Sequence, residues 1–132
     1  MTVERINPPT LHQPIDNMYA HIVKASGRTQ YRIGGQVAVD EQGADVAVGD
    51  MAGQIRCCYD MVSRALEAVG LGWDDVVHIY TFTTDMDTYL EHEQAIARDY
   101  VGDRPPASTL LEVSRLVKPE WLVQVQVDAV AE

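Results

Sequence analysis

Residues 50–84, DMAGQIRCCYDMVSRALEAVGLGWDDVVHIYTFTT, determine which fold class the chain can adopt. Asp50 is a good helix N-cap, and apolar side chains follow it at intervals of three and four residues, the spacing of one helix face. This apolar stripe consists of Met51, Ile55, Cys58, Val62, Leu66 and Val69. Gly70 and Gly72 are expected to end the helix, because glycine commonly follows a helix C-terminus. Residues 76–84 are rich in β-branched and aromatic side chains and predict a strand.

Two strands are predicted before this helix. Residues 18–25 and 31–39 carry strand-forming side chains, and a short turn separates them. The second strand contains the pair Gly34–Gly35, which indicates a bulge or a close approach of another group to the backbone. Residues 1–16 carry three prolines and no periodicity, so we expect them to form an extended arm.

A second helix and two more strands are predicted after residue 84. Asp85 or Asp87 caps the helix, which runs to about Val101. Residues 107–113 and 122–130 are the last two strands. The final strand alternates, and its apolar face consists of Val123, Val125, Val127 and Ala129. Its opposite face consists of Gln124, Gln126 and Asp128.

The predicted order of elements is β-β-α-β-α-β-β, within a single α+β domain spanning residues 1–132. We expect one mixed sheet with two helices on one face. Because two helices can cover only that face, the other face is left for something else. Its polar character, as in the last strand, suits a partner subunit, so we expect the chain to associate with itself.

The charge of the chain limits its partners. It has 20 acidic and 10 basic side chains among 132 residues, a formal net charge of −10. Proteins that bind nucleic acids rely on lysine and arginine to displace counterions from phosphates, so nucleic acid is an unlikely partner. No apolar run approaches the roughly 18 residues of a membrane helix, and the N-terminus lacks the apolar core of a signal peptide. We therefore expect no membrane partner and a cytoplasmic location.

The cysteines and histidines do not form a recognisable metal site. Cys57 and Cys58 are adjacent, which disfavours a disulfide between them and favours reduced thiols, with a redox role as the alternative. The four histidines lack the spacing of three or four residues that would place two of them on one helix face. We therefore expect no metal.

Glu93 interrupts the apolar face of the second helix. That face consists of Tyr89, Leu90, Ile96, Ala97 and Tyr100. A carboxylate on a buried face is costly unless it is paired, hydrogen-bonded or directed into a cavity. Glu93 therefore either lies at the helix edge with its head in water, or points into a pocket with a raised pKa suited to acid–base chemistry. Asp128, in the middle of the last strand, is either solvated or directed into that same pocket.

Five segments, together with the first helix and the glycines that end it, resemble in this order the RidA/YjgF family, also called the L-PSP endoribonuclease family. They are YAHIVKA, GGQVAVD, DDVVHIYTFTTDMDTY, GDRPPASTLLEV and LVQVQVDAVA, and the resemblance extends over about residues 19–131. It implies a chorismate-mutase-like α+β fold and a homotrimer whose sheets pack into a central barrel, with pockets between subunits. It also implies hydrolysis of reactive enamines and imines, such as 2-aminoacrylate, without a metal or an organic cofactor.

The family's site residues can be carried over position by position. The resemblance implies catalytic roles for Tyr19, Glu93 and Asp128. The implied substrate-binding positions are Gly34, Gly35, Ser108 and Leu110. Glu93 stands where the family has asparagine, and Gly34 where it has serine. Ser108 stands where the family has the arginine that binds the substrate carboxylate through a bidentate pair.

These differences change the expected ligand. Without the arginine, and with an acidic Glu93 in the same pocket, a carboxylate-bearing substrate is disfavoured. We expect a small-molecule hydrolase of the deaminase type that acts on a neutral or cationic imine, enamine or related metabolite. One alternative is a non-catalytic metabolite-binding or chaperone-like trimer. A second alternative, endoribonuclease activity, is disfavoured by the acidic charge.

Overall fold

Residues 2–132, the part of the chain that this computed structural model describes, form six strands, two α-helices and two single-turn 3-10 helices, Ile15–Asn17 and Trp73–Asp75. The α-helices are α1 (Met51–Ala68) and α2 (Met86–Val101). The strands are β1 (Thr2–Ile6), β2 (Ile22–Ser26), β3 (Thr29–Gln36), β4 (Val76–Thr83), β5 (Ala107–Glu112) and β6 (Val123–Ala131). The α+β class and both predicted helices are confirmed. Met1, the first residue of the predicted arm, lies outside the described residues.

The main sheet has four strands in the order β3-β6-β4-β5. Strand β6 is antiparallel to both of its neighbours, whereas β4 and β5 are parallel, so the sheet is mixed. Both helices lie on one face, where α1 packs against β3 and β6 and the two helices contact each other. This face of the sheet therefore supplies one side of the apolar core.

The N-terminal segment, for which the sequence predicted an extended arm, begins with a strand that was not predicted. Thr2–Ile6 forms β1, which pairs antiparallel with β2 in a separate two-stranded sheet. Thr2 lies opposite Ser26 and Ile6 lies opposite Ile22. Because the pairing partner is some twenty residues away, the periodicity of the arm alone could not reveal this strand. The described chain thus has one more strand and one more sheet than predicted.

The predicted apolar patterns form the core, with two exceptions. The stripe of α1 is buried at Met51, Ile55, Cys58, Val62 and Leu66, and so is the apolar face of β6 at Val123, Val125, Val127 and Ala129. Val69 is 44% exposed because α1 ends at Ala68 and Val69 is only its C-cap. Leu90, assigned to the apolar face of α2, is 53% exposed.

The predicted helix ends are confirmed in detail. Asp50 accepts a hydrogen bond from the backbone N–H of Gly53 at 3.0 Å, which satisfies one donor of the first turn of α1. Asp85, rather than Asp87, is the N-cap of α2, where its side chain accepts from Thr88. Gly70 follows α1 with a φ of +75°, a conformation that favours glycine.

The structure has both a bulge and a close neighbouring group at the Gly34–Gly35 pair, the two features that paired glycines in a strand indicate. The register of β3 against β6 shifts between Ile33 and Gln36, which is a bulge. A β-carbon at position 35 would overlap the side chain of Gln124, whose Cγ would be only 2.8 Å away, whereas one at position 34 would meet nothing within 4 Å. Only Gly35 is therefore required by a close neighbour.

No helix among residues 2–132 has the length and apolarity that a membrane crossing requires.

Candidate functional site

A cavity of about 370 Å³ opens between α2, β5 and the segment that follows the N-terminal strand. We call it the Glu93 pocket. Its lining residues are Ile15, Asp16, Met18, Tyr19, Leu90, Glu93, Gln94, Ser108 and Leu110. Four of the seven site residues expected from the sequence therefore meet here: Tyr19, Glu93, Ser108 and Leu110.

Ser108 and Leu110 both line this pocket because side chains alternate between the two faces of a strand. Successive side chains on a strand point to opposite faces, so these two share a face of β5. Ser108 lies opposite Ile79 on β4, and Leu110 lies opposite Thr81. Ile79 and Thr81 are both buried on the side that carries the helices. The pocket thus lies on the helix side of the sheet, at its β5 edge.

A tight turn forms the third wall of the pocket. Asp16 and Asn17 both have positive φ, of 52° and 54°, which is uncommon for residues other than glycine. The turn is tied to the end of α2 and the residues after it. The amide of Asn17 donates to the carbonyl of Asp103 at 3.0 Å, and the guanidinium of Arg98 donates to the carbonyl of Asp16. These contacts hold Asp16 at the rim of the pocket, a role that the sequence did not suggest.

Glu93 is a half-buried carboxylate in this pocket. Burial raises the pKa of its carboxyl group, and a hydrogen bond from Tyr89 partly opposes that rise. The Tyr89 hydroxyl lies 3.3 Å from Glu93 Oε1, one helical turn before it on α2. Of the two readings open from the sequence, the structure favours the carboxylate directed into a pocket. A pocket position and a raised pKa are both typical of carboxyl groups that transfer protons.

Tyr19 lines the pocket and has a histidine as its hydroxyl partner. His12 Nε2 lies 3.0 Å from Tyr19 Oη, and His21 Nε2 lies 2.7 Å from the carbonyl oxygen of His12. The ring of His21 also contacts the ring of Tyr19 edge-on, with 5.5 Å between centroids. His12 was not singled out from the sequence, because nothing in its spacing pairs it with Tyr19.

The pocket has an acidic lining. Asp16 and Glu93 contribute carboxylates, while Gln94, Ser108 and Tyr19 contribute neutral polar groups. None of its described lining residues is a lysine or an arginine. A cation is therefore favoured in this pocket, and a carboxylate is disfavoured.

Asp128 lies on the other face of the sheet. It alternates with the buried Val127 and Ala129, and it pairs across the strands with Arg32 on one side and His78 on the other. It lines a separate cavity of about 470 Å³, between the sheet and the segment around β2. Within one chain, therefore, Asp128 and Glu93 do not share a pocket, and Gly34 and Gly35 line neither of these two cavities.

Asp128 forms an ion pair with Arg32 and influences the pKa values of Tyr80 and His78. Arg32 Nε lies 3.7 Å from Asp128 Oδ1, a distance that gives an ion pair but not a hydrogen bond. Burial, together with the Asp128 carboxylate, raises the pKa of Tyr80. Burial lowers the pKa of His78, and Asp128 opposes that shift. His78 also stacks on Tyr80, with 4.1 Å between ring centroids.

A third cavity, of about 520 Å³, lies between the β3–α1 loop and α1, but its charged groups already have partners. Arg56 pairs with Asp99 at 3.2 Å, and Arg64 pairs with Glu41 at 3.8 Å. Cys57 also lines this cavity, and burial raises the pKa of its thiol, so the reactive thiolate is disfavoured.

Both cysteines are free thiols, as predicted. Cys58 lies in the core, where burial raises the pKa of its thiol strongly. Across residues 2–132, no three histidine, cysteine, aspartate or glutamate side chains are grouped so that they could hold a metal ion.

The fold and the pocket together define a class: a small α+β protein with two helices on one face of a mixed sheet and a cavity at the edge of that sheet. The family model described as endoribonuclease L-PSP matches residues 11–131. The chain therefore belongs to this family, the RidA/YjgF family.

Individual relatives agree with this assignment. A RutC family protein from Sulfurisphaera tokodaii is 31% identical over 109 residues, which cover 83% of this chain and 84% of the relative. The crystal structure of YyfB from Yersinia pestis, described as a protein of unknown function of the conserved Rid family, is 25% identical with a TM-score of 0.90. It covers 98% of this chain and 99% of its own. A putative endoribonuclease from Thermotoga maritima is 28% identical with a TM-score of 0.72, covering 86% and 87%.

Proposed function

We propose that the protein is a small-molecule hydrolase of the deaminase type, which cleaves the carbon–nitrogen bond of an imine or enamine in the Glu93 pocket. The observation that carries this proposal is the half-buried Glu93 carboxylate with a raised pKa, placed with Tyr19 in a cavity of about 370 Å³. That volume suits a small metabolite. A carboxyl group whose pKa is shifted towards neutrality can both accept and return a proton.

The reaction that these groups support needs only water. A neutral imine first takes up a proton from solvent, and Glu93 accepts a proton from a water molecule as the water oxygen bonds to the carbon of the protonated imine, which gives a carbinolamine. The protonated Glu93 then gives that proton to the nitrogen, the carbon–nitrogen bond breaks, and the electron pair leaves with the amine. The hydroxyl of the intermediate gives its proton to the Glu93 carboxylate, which forms the carbonyl product, and the departing amine takes up that proton, which restores the carboxylate. Tyr19 orients the substrate through its ring and hydroxyl.

The lining of the pocket supports a substrate without a carboxylate. A protonated imine is cationic and is stabilised by Asp16 and Glu93, whereas a 2-imino acid brings a carboxylate that these groups repel. Ser108 stands at the position where the resemblance places the family's arginine, and it cannot form a bidentate charged pair. The substrate is therefore a neutral or cationic imine or enamine without a carboxylate.

The test compares wild type with two variants on α2. Aldimines are generated in situ by an amine oxidase, and semicarbazide competes with the protein for them. Glu93→Gln is expected to lose at least about 100-fold in hydrolysis, within the range that general acid–base catalysis supplies. Glu91→Gln removes an exposed carboxylate two residues away and should keep full activity. Equal activity in the two variants would refute the role of Glu93.

The two other functions make different predictions. A non-catalytic metabolite-binding or chaperone-like protein would bind the amine or its imine without accelerating hydrolysis. An endoribonuclease would need a surface that attracts phosphates. The net charge of −10 and the two carboxylates in the pocket oppose that, although the family model and the similar structure from Thermotoga maritima carry that description.

We also propose that the protein assembles into a homotrimer through the sheet face opposite the helices. Arg32, His78 and Asp128 lie across that face, and Leu111, on the edge strand, is 50% exposed. In such an assembly, Asp128 could act catalytically only by reaching the Glu93 pocket of a neighbouring copy. Gly34 and Gly35 could contact substrate only in the same way. A cytoplasmic location is part of this proposal.

A further inference from the structure

A hydrogen-bonded chain of three side chains connects the main sheet with the Glu93 pocket. It begins at Thr81, a buried residue of the central strand β4 that is 3% exposed. It passes through Tyr89, which is fully buried in the first turns of α2. It ends at Glu93, whose Oε1 lies 3.3 Å from the Tyr89 hydroxyl. Tyr89 and Glu93 are four residues apart and so lie on the same helix face.

The direction of the chain follows from the two tyrosine partners. The Tyr89 hydroxyl has one proton, which it donates to Glu93 Oε1 at 3.3 Å, so in its hydrogen bond with Thr81 the tyrosine oxygen accepts and Thr81 donates. The Tyr89 hydroxyl donates to the Glu93 carboxylate, since this contact raises the pKa of Tyr89 and lowers that of Glu93. Burial raises the pKa of Tyr89 well above its ordinary value, so its proton remains available for donation. Each bond polarises the next, which strengthens the chain.

We propose that Tyr89, itself oriented by Thr81, is the positioning residue for Glu93: its hydroxyl fixes Oε1 and presents Oε2 to the ligand. The catalytic part of this role rests on the proposed hydrolase function, but the positioning itself does not. Tyr89 is shielded from the ligand by its complete burial and therefore acts only through Glu93. A phenylalanine at this position would fill the same core volume and leave the carboxylate without its donor.

The charged state of Glu93 is a balance between two opposing effects. Burial favours the protonated acid, and the Tyr89 hydroxyl favours the carboxylate. The other titratable groups around Glu93 are Tyr59 on α1 and, from the turn at the rim of the pocket, Asp16 and Tyr19. Burial raises the pKa of Tyr59 strongly, so this side chain stays neutral. Removal of the Tyr89 hydroxyl leaves burial unopposed.

The test measures the pKa of Glu93 directly, without a substrate. Carbon-13 NMR of the glutamate carboxyl groups is followed against pH, and Glu93→Gln assigns the resonance by its absence. Tyr89→Phe is expected to raise the pKa of Glu93 by about half a unit or more, since hydrogen bonds to charged groups are among the stronger ones. Thr81→Val, which keeps the shape of the side chain, is expected to raise it by a smaller amount.

Tyr100→Phe is the matched control. It removes a tyrosine hydroxyl from the same helix, but that hydroxyl donates to Asp60 at 2.6 Å rather than to Glu93. The pKa of Glu93 should therefore be unchanged in this variant. An unchanged pKa in folded Tyr89→Phe, or an equal rise in Tyr100→Phe, would overturn the proposal. If Tyr89→Phe does not fold, an unchanged pKa in Thr81→Val overturns it instead.

The same variants separate this inference from the hydrolase proposal. If aldimines are turned over, the acidic limb of the pH–rate profile of Tyr89→Phe should shift to higher pH, by the same amount as the pKa of Glu93 measured by NMR. A movement of the limb that does not match the NMR pKa would contradict the role of Tyr89 in catalysis. If the NMR pKa moves and no aldimine is hydrolysed by wild type, the hydrolase proposal fails while the positioning role of Tyr89 stands.

Discussion

Glu93 shows how burial and hydrogen bonding together set the properties of one side chain. Four residues after Tyr89 on an amphipathic helix, it turns towards a cavity rather than towards bulk water. Its carboxyl group keeps a raised pKa because burial outweighs the donated hydrogen bond. A carboxylate in a core would be an unfavourable charge, whereas at the wall of a pocket it lies where it can exchange a proton with a ligand or with water.

The raised pKa of Glu93 should make the stability of the protein depend on pH. The folded state binds the Glu93 proton more tightly than the unfolded state does, so the contribution of Glu93 to stability falls as pH rises from its unfolded to its folded pKa. Glu93→Gln removes the ionisable group and with it this fall in stability at higher pH. The difference in unfolding free energy between Glu93→Gln and wild type should therefore favour the variant more at pH 7 than at pH 4. Urea unfolding of both proteins at both pH values measures this difference. A stability loss of about 2 kcal/mol or more at pH 7 would instead indicate a structural ion pair.

Ser108 should limit turnover of 2-aminoacrylate. Loss of a charged bidentate contact costs about 2–3 kcal/mol, and each 1.4 kcal/mol is about tenfold, so we expect activity at least about 100-fold below that of an arginine-bearing family member. Initial rates of ammonia release give the comparison. Replacement of the arginine of that member by serine should lower its rate to a similar level. Full activity in the present protein would show that another cation binds the carboxylate.

At the scale of single elements, the helices and β6 were predictable because their signals are local. The cap at Asp50 and the alternation of β6 each depend on residues a few positions apart, and both are confirmed. Strand β1 was not predictable, because its partner β2 is distant in sequence. For the same reason, the sequence could not place Asp16 at the Glu93 pocket or Asp128 on the opposite face of the sheet from Glu93.

The cap of α1 should make a measurable contribution to folding. Asp50→Ala removes the acceptor for the Gly53 N–H and should destabilise the protein by about 1 kcal/mol in urea unfolding. Asp50→Asn retains a capping oxygen and should cost only a fraction of that. Equal losses in the two variants would show that the charge of Asp50, rather than its capping bond, is what stabilises the helix.

The bulge in β3 gives a second prediction for an element. Gly35→Ala brings a β-carbon against Gln124, and we expect a loss of about 1–3 kcal/mol, as for other overpacked sites. Gly34→Ala, with open space around its β-carbon, is the control and should lose less. Gln124→Ala should restore most of the stability of Gly35→Ala. Absence of this rescue would mean that backbone conformation, not the Gln124 contact, requires glycine.

At the scale of the whole molecule, the sheet separates two polar regions. The Glu93 pocket lies on the helix side, and the row of Arg32, Asp128 and His78 lies on the other side. The sequence suggested the uncovered face from the number of helices alone. It could not show that the β1–β2 pair lies beside that face, because that depends on how two distant segments meet.

Self-association through this face should give a trimer. Light scattering coupled to size-exclusion chromatography is expected to return about three times the 14.7 kDa mass of the chain. Arg32→Glu places two acidic groups side by side on the face and should weaken the assembly, whereas Arg64→Glu, on the outer side of α1, should not. A monomeric mass for the wild-type protein in dilute solution would contradict the trimer.

The central claim is that the Glu93 pocket hydrolyses imines that lack a carboxylate. The most direct measurement compares two imines of similar size with wild-type protein, an aldimine made by an amine oxidase and a 2-imino acid made by an amino-acid oxidase, each in competition with semicarbazide. We expect the protein to accelerate ammonia release from the aldimine well above its spontaneous rate and to have little effect on the 2-imino acid. Faster hydrolysis of the 2-imino acid, or no acceleration of either compound, would contradict it.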